Sequence, residues 1–139
     1  MEKILYIKLH PSCVAYLVKG DNKPRVTPPT IDAIATLIEA LKPTTVVCER
    51  PFQTPSASPS IYYNFQLFGG LKALALVHKI PMKSLPASDA RESVHGASHL
   101  SKEYILTYVN NLWGTATDPQ LKPVHELAMF DVWTLSKAT

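Results

Sequence analysis

The apolar and polar positions of this chain change period several times, and each change predicts a new element. Residues 3–10 alternate and are rich in β-formers, and residues 13–18 do the same after a Pro-Ser turn, which predicts an opening hairpin. Residues 25–27 follow a second turn and are a candidate third strand. Residues 31–41 repeat apolar side chains at helical spacing, with Thr30 as the candidate N-cap. The chain therefore opens with strands and turns to helix.

The apolar run that follows this helix ends abruptly in a carboxylate. Residues 45–49 have the character of a buried strand, and Glu49 stands at its end, before Arg50 and Pro51. Open α/β sheets place their chemistry outside the carboxyl ends of their strands, so Glu49 is the leading candidate for a functional acid. An ordinary surface Glu at a strand end is the alternative.

The rest of the chain alternates helices with one more strand. The predicted elements are a loop at 51–60, a helix at 60–79, a strand at 80–85, a helical turn at 87–94, a helix at 100–112, a polar loop at 113–122 and a closing helix at 124–138. Strands first, then helices interleaved with strands, predict one α/β domain over residues 1–139, built on a mixed sheet.

Composition narrows the class without naming a function. The 139 residues are 46% hydrophobic and 18% charged, as in a compact globular domain, and the net charge of +3 permits an anionic partner without requiring one. Cys13 and Cys48 are isolated in apolar settings, which predicts reduced core thiols. No apolar run is long enough to span a bilayer and no export signal is evident, so we expect a cytoplasmic protein with no membrane partner.

Three segments in this order resemble the RuvC-type Holliday-junction resolvases of the RNase H-like superfamily. Residues 46–52 resemble that family's second acidic motif, and residues 130–136 resemble its last one. Between them, residues 80–96 followed by Lys102 resemble its passage of strand, Pro, amphipathic turn, Gly and Lys. The resemblance covers nearly the whole chain. It implies a RuvC-like, RNase H-like α/β fold, with a mixed sheet flanked by helices.

The resemblance also implies an activity and a cofactor. Family members are metal-dependent, structure-selective endodeoxyribonucleases that hydrolyse phosphodiesters in Holliday junctions or other branched DNA. Two divalent cations, Mg²⁺ or Mn²⁺, about 3.5–4 Å apart, are held by converging carboxylates. Branched DNA and a second copy of the chain are the implied partners, because symmetric incision of a four-way junction needs two sites related by a two-fold axis.

The first-strand ligand of the family is an Asp, and this chain departs from it. His10, which precedes Pro11 and Ser12 as in the family's turn, is the preferred counterpart. Counting from the initiator Met places Lys8 there instead, which would put a cation where the metal should be. With His10, the site would favour metals such as Mn²⁺ over Mg²⁺, because imidazole is a borderline ligand.

The closing helix departs from the family pattern as well. Asp131 matches one ligand, but Leu127 and Ala128, one turn earlier, bind no metal. His125 and Glu126 are the nearest substitutes for the fourth ligand. The implied catalytic residues are His10, Glu49, Glu126 and Asp131, with His125 as a further metal ligand. The alternative is a catalytically degenerate RuvC-like protein that binds DNA or serves as an assembly component, so whether the chain is an enzyme stays open.

A second group of residues is a candidate for DNA binding. Arg91, His95, His99 and Lys102 recur at spacings of four, four and three, which could line one helical face with phosphate-binding groups. Gly96 interrupts that periodicity, so a solvated loop is the alternative, and a His95-His99 metal pair is a weaker one. The expected DNA-binding residues are Arg50, Arg91, His95, His99 and Lys102.

Two adjacent glycines lie within the predicted helix at 60–79. Glycine costs about 1 kcal/mol relative to Ala in a helix, so close packing against another helix is the expected compensation. The predicted homodimer interface comprises Phe65, Phe68, Gly69 and Gly70. The aromatic residues here could instead stack on the bases of a junction or fill the core, and the glycines could pack on the chain's own sheet.

Overall fold

The predicted hairpin forms one half of a five-stranded sheet. The computed structural model describes residues 1–51 and 58–139. Strand β1 (Ile4–His10) pairs antiparallel with β2 (Cys13–Val18), and β2 pairs antiparallel with β3 (Arg25–Thr27). All three strands lie where the alternating pattern predicted them.

The other half of the sheet is parallel. Strand β1 also pairs with β4 (Thr45–Arg50), which pairs with β5 (Met82–Pro86), and the strand order is β3-β2-β1-β4-β5. The carboxyl ends of β1, β4 and β5 therefore meet at one edge of the sheet. This is the mixed sheet that the sequence predicted.

Among the described residues, five helices flank the sheet, and three of them begin at a Ser or Thr side-chain cap. Thr30, Ser58 and Ser101 each accept a hydrogen bond from a backbone N–H in the first turn, at 3.1, 3.3 and 3.0 Å. The helices are α1 (Ile31–Leu41), α2 (Pro59–Val77), α3 (Ala87–His95), α4 (Lys102–Trp113) and α5 (Pro123–Ala138), with a 3₁₀ turn at Thr115–Thr117. The predicted elements all form, with ends shifted by up to two residues. The loop expected at 51–60 falls mostly on residues 52–57, outside the described residues.

The two faces of the sheet pack against different helices. Leu5, Ile7 and Leu9 of β1 point to the face covered by α1 and α2. Tyr6 points the opposite way, toward α5, where it packs with Val47 of β4. Because side chains alternate along a strand, Lys8 and Glu49 share this second face with Tyr6 and Val47. Strand parity thus directs both charged side chains toward α5.

The two glycines of α2 have different surroundings. A Cβ on Gly70 would collide with the Ile31 side chain, so this glycine lets α2 approach α1 within the same chain. Nothing lies within 4 Å of the corresponding position on Gly69, which faces outward. Phe68 is buried in the core between the sheet, α1 and α2. Of the predicted interface residues, Phe68 is buried within the chain and Gly70 packs against Ile31, whereas Phe65 and Gly69 lie on the surface; the interface between two copies stays a prediction.

Two further expectations concern the cysteines and the membrane. Cys13 and Cys48 are both buried and free, as predicted. Within the described ranges, no helix has the length and apolar character needed to cross a bilayer.

Candidate functional site

A buried ion network lies at the edge where the parallel strands end. The register pairs Ile7 with Cys48, so Lys8 and Glu49, one residue further on, are neighbours that both point toward α5. The Lys8 ammonium group pairs with the Glu49 carboxylate, and its Nζ lies 3.5 Å from Oδ2 of Asp131. The side chains of Glu49 and Asp131 are only 4% and 7% exposed, and that of Lys8 is 18% exposed. A lysine thus lies between the two acids.

Arg91 completes the network from α3. Its Nε and Nη2 atoms donate to the same oxygen, Oδ1 of Asp131, at 3.0 and 2.8 Å. The network therefore joins β1, β4, α3 and α5 through one residue from each. Its two carboxylates face two cations, so the cluster is electrically balanced without any further ion.

Electrostatics keep this lysine charged. Burial alone would lower the pKa of Lys8, but the Glu49 and Asp131 carboxylates together raise it above its ordinary value. Burial raises the pKa of the Glu49 carboxyl to about 7, because Asp131 adds to the burial effect and Lys8 offsets only part of it. Lys8 is therefore the permanent cation of the site, and Glu49 is its titratable acid.

His10 lies at the end of β1, beyond the network. Its Nδ1 atom accepts a hydrogen bond from the backbone N–H of Ser12 at 2.9 Å. Burial, with Lys8 and His125 nearby, lowers its pKa against the opposing effect of Asp131, which favours the neutral ring. The structure corrects the preferred alignment: Lys8, not His10, bridges the two acids. The reason is the register, which places Glu49 beside Lys8.

The substitutes expected on the closing helix turn elsewhere. Oε2 of Glu126 accepts a hydrogen bond from the Thr115 hydroxyl at 2.9 Å, and Nδ1 of His125 accepts one from the backbone N–H of Lys122 at 3.3 Å. Five residues of helix rotate a side chain by about 140° relative to Asp131, so Glu126 lies on a different face of α5. Among the described residues, neither side chain joins Glu49 and Asp131 in a cluster of metal-ligating groups, so the structure gives no support to His125 or Glu126 as the fourth ligand.

The residues present do not fit the two-metal centre that the resemblance implies. Among residues 1–51 and 58–139, no three His, Cys, Asp or Glu side chains converge closely enough to hold a metal ion. The Lys8 ammonium also lies where a divalent cation would have to approach Glu49 and Asp131, and like charges repel. The expectation that His10, Glu49 and Asp131 share a metal is therefore corrected by the geometry.

The residues expected to bind DNA fall into two groups. Arg50 is exposed at the end of β4, Lys102 is exposed at the start of α4, and His99 is exposed in the turn before it. Arg91 is committed to Asp131, as described above. His95 is half-buried instead.

His95 packs inside a cluster of aromatic rings from α4 and α5. Its ring stacks on Phe130 with 4.8 Å between centroids and meets the edge of Tyr108 at 5.2 Å. Its Nε2 lies 2.9 Å from the Thr134 hydroxyl, and its Nδ1 lies 3.4 Å from the hydroxyl of Tyr104. His95 therefore connects α3 with α4 and α5, and its role as a phosphate contact stays a prediction.

Two cavities open on either side of the ion network. The first has a volume of about 300 Å³, and the second about 480 Å³. The charged or ionisable residues that line the first are Lys8, His10, Arg91, Lys102 and Asp131. Those that line the second are Lys8, Glu49, Arg50, Arg91 and Asp131. Basic groups outnumber acids in both, and the exposed ones, Arg50 and Lys102, lie on opposite sides of the network.

From the sequence, Lys8 is only the second candidate for the position of the family's first-strand Asp. The strand pattern places Tyr6, Lys8 and His10 on one face of β1, and only the register with β4 shows that Lys8 lies level with Glu49. Arg91 was identified as a cation, but its partner Asp131 lies 40 residues away and only the packing of α3 on α5 joins them.

The fold is that of the RuvC-type resolvases. The chain is similar to T. thermophilus RuvC, solved in complex with a Holliday junction substrate, with a TM-score of 0.64 and 15% identity over 98% of this chain and 92% of that one. It is also similar to the yeast mitochondrial Holliday junction resolvase Ydc2, with a TM-score of 0.64 and 12% identity over 99% of this chain and 77% of that one. No protein-family model and no curated protein matches the chain. The predicted RuvC-like, RNase H-like fold is confirmed.

Proposed function

We propose that this RuvC-like domain is a noncatalytic protein that binds branched DNA. One observation carries the proposal: the Lys8 ammonium group lies between Glu49 and Asp131, the two acids that the family resemblance assigns to metal binding. A site whose charges are already balanced has no need of a divalent cation. We therefore expect DNA binding without phosphodiester hydrolysis.

The surface around the network supports an anionic partner. Arg50 and Lys102 are exposed beside the two cavities, and Arg91 lines both of them. Cations spaced along a groove contact the phosphate backbone irrespective of base sequence. The similar T. thermophilus protein was solved with a Holliday junction substrate, and the shared fold favours DNA of the same branched shape as the ligand here.

A metal-dependent endodeoxyribonuclease is the second candidate. It is favoured by the retention of Glu49 and Asp131 side by side at the sheet edge, and it would use Mg²⁺ or Mn²⁺. In this case the Lys8 side chain would have to leave the two acids before any metal could bind. The ion pair and the burial of both carboxylates oppose that movement.

The proposed protein acts as a homodimer through the outer face of α2. Tyr62 and Leu76 are 61% and 79% exposed, and Phe65 and Gly69 lie between them along the same helix. Large exposed apolar side chains in one stripe are unfavourable in water unless another surface covers them. A two-fold partner would also place two basic clefts on one symmetric junction.

A synthetic four-way junction tests the proposal. We expect the wild type to shift this junction more tightly than a linear duplex of equal length, and to release no product in Mg²⁺ or Mn²⁺. The Arg50→Glu and Lys102→Glu variants should bind less tightly. Lys19→Glu is the matched control, because Lys19 is exposed at the opposite end of the sheet.

Cleavage of the junction would contradict the noncatalytic proposal. If cleavage occurs and is lost in Glu49→Gln while binding survives, the nuclease is the correct function. If neither the junction nor the duplex binds, the DNA-binding proposal itself fails.

A further inference from the structure

We infer that Lys8 is a covalently attached substitute for a divalent metal ion, whose ammonium group holds the acids of the sheet edge together in a metal-free form. The inference rests on one part of the proposed function, the lack of a metal centre. It does not depend on whether the protein binds DNA.

The balance of charges in the network is the first reason to regard Lys8 as a substitute for a metal ion. When both are ionised, Glu49 and Asp131 contribute two negative charges at 4% and 7% side-chain exposure, and Lys8 and Arg91 contribute two positive ones. Buried carboxylates are strongly unfavourable unless cations or hydrogen-bond donors compensate them. Here the chain supplies both cations itself, so the edge folds without an external ion.

The geometry carries the second step. Lysine presents a compact charge with three donors on a flexible stem, which lets one nitrogen face two acids from different elements. Lys8 reaches Glu49 on β4 and Asp131 on α5 from a single position on β1. A metal ion between two carboxylates would connect the same two elements. The lysine thus performs the linking role that such a metal ion would have.

Reversing the charge at this one position should create a metal requirement. Lys8→Asp would leave three acids and one arginine, a net charge of −2 that one divalent cation balances. Asparagine has nearly the same size as aspartate, but Lys8→Asn leaves a net charge of −1 and adds no carboxylate. The two variants differ by a single charged oxygen, so Asn is the matched control for Asp.

Thermal unfolding in EDTA and in millimolar MnCl₂, without DNA, tests the inference. We expect the Tm of the wild type and of Lys8→Asn to change by less than about 1 °C between the two conditions. We expect Lys8→Asp to rise by at least about 5 °C in MnCl₂, because an ion that binds only the folded state stabilises it by mass action. Titration calorimetry with MnCl₂ should show binding to Lys8→Asp and none to the wild type.

Two results would overturn the inference. The first is Mn²⁺ binding to the wild type with a rise in its Tm, since the lysine would then not have replaced the metal. The second is a response of Lys8→Asp no larger than that of Lys8→Asn. If Lys8→Asp is unfolded in EDTA, recovery of its folded signal in MnCl₂ supports the inference, and continued unfolding refutes it. Failure to bind junctions would disprove the proposed function and leave these outcomes unchanged.

Discussion

Replacing Lys8 with Met removes the cation between two buried acids and keeps an unbranched side chain of similar length. Taking one partner from a buried ion pair costs about 3–5 kcal/mol, because the other charge stays buried without compensation. Lys8 is 18% exposed, and Arg91 still donates to Asp131, so the lower end of that range applies. We expect a loss of about 3 kcal/mol in the free energy of unfolding above neutral pH.

The loss should depend on pH through Glu49. In the wild type, burial raises the pKa of this carboxyl to about 7, while Lys8 lowers it in opposition. Without Lys8 the folded-state pKa rises further, so above pH 7 the folded variant keeps a proton that the wild type has released. Between the folded-state pKa of Glu49 in the wild type and that in the variant, the free energy of unfolding of the variant therefore falls faster with rising pH than that of the wild type. The difference in slope is up to about 1.4 kcal/mol per pH unit. We expect a deficit of about 2 kcal/mol at pH 6 that grows to about 3 kcal/mol at pH 8.5.

Urea denaturation at pH 6 and pH 8.5 measures both quantities. Lys19→Met is the matched control, because the same substitution at an exposed site should change stability by no more than about 0.5 kcal/mol. A deficit for Lys8→Met within that control range would refute the account of the ion network. An equal deficit at both pH values would show that Glu49 does not titrate as argued.

Three further predictions concern the DNA surface, the α2 face and the second cation of the network. Lys102→Glu should lower junction affinity and reduce the slope of log K against log salt by about 1, as measured by fluorescence anisotropy, whereas Lys19→Glu should leave the slope unchanged. In sedimentation experiments the wild type should be a dimer and Gly69→Leu a folded monomer. A wild type that sediments as a monomer would contradict the proposed interface. Gly70→Leu, by contrast, should lower the Tm whatever the mass, because Gly70 faces α1 of the same chain. Arg91→Met should lower the free energy of unfolding, measured by urea denaturation, by about 1–2 kcal/mol, less than Lys8→Met does, because Asp131 keeps Lys8 as a cation partner. A loss equal to or larger than that of Lys8→Met would show that Arg91 is the main cation partner of the acids.

The periods of the sequence were enough to place the elements. Alternation in residues 3–10 and 13–18 predicted the hairpin, and the predicted cap Thr30 lies where the first helix begins. These features are local, since side-chain period and capping depend on neighbours within a few residues. The position of Glu49 at a strand end was likewise readable from the apolar run before it.

What the tertiary structure alone decided is which charges meet. His10 and Lys8 lie on the same face of β1, and the sequence pattern cannot choose between them as the neighbour of Glu49. The parallel register with β4 makes that choice, and the packing of α3 on α5 then brings Arg91 to Asp131. The same packing places the His95 ring against Phe130 and Tyr108. Register and helix packing depend on contacts between residues far apart in the chain, so local periodicity cannot determine them.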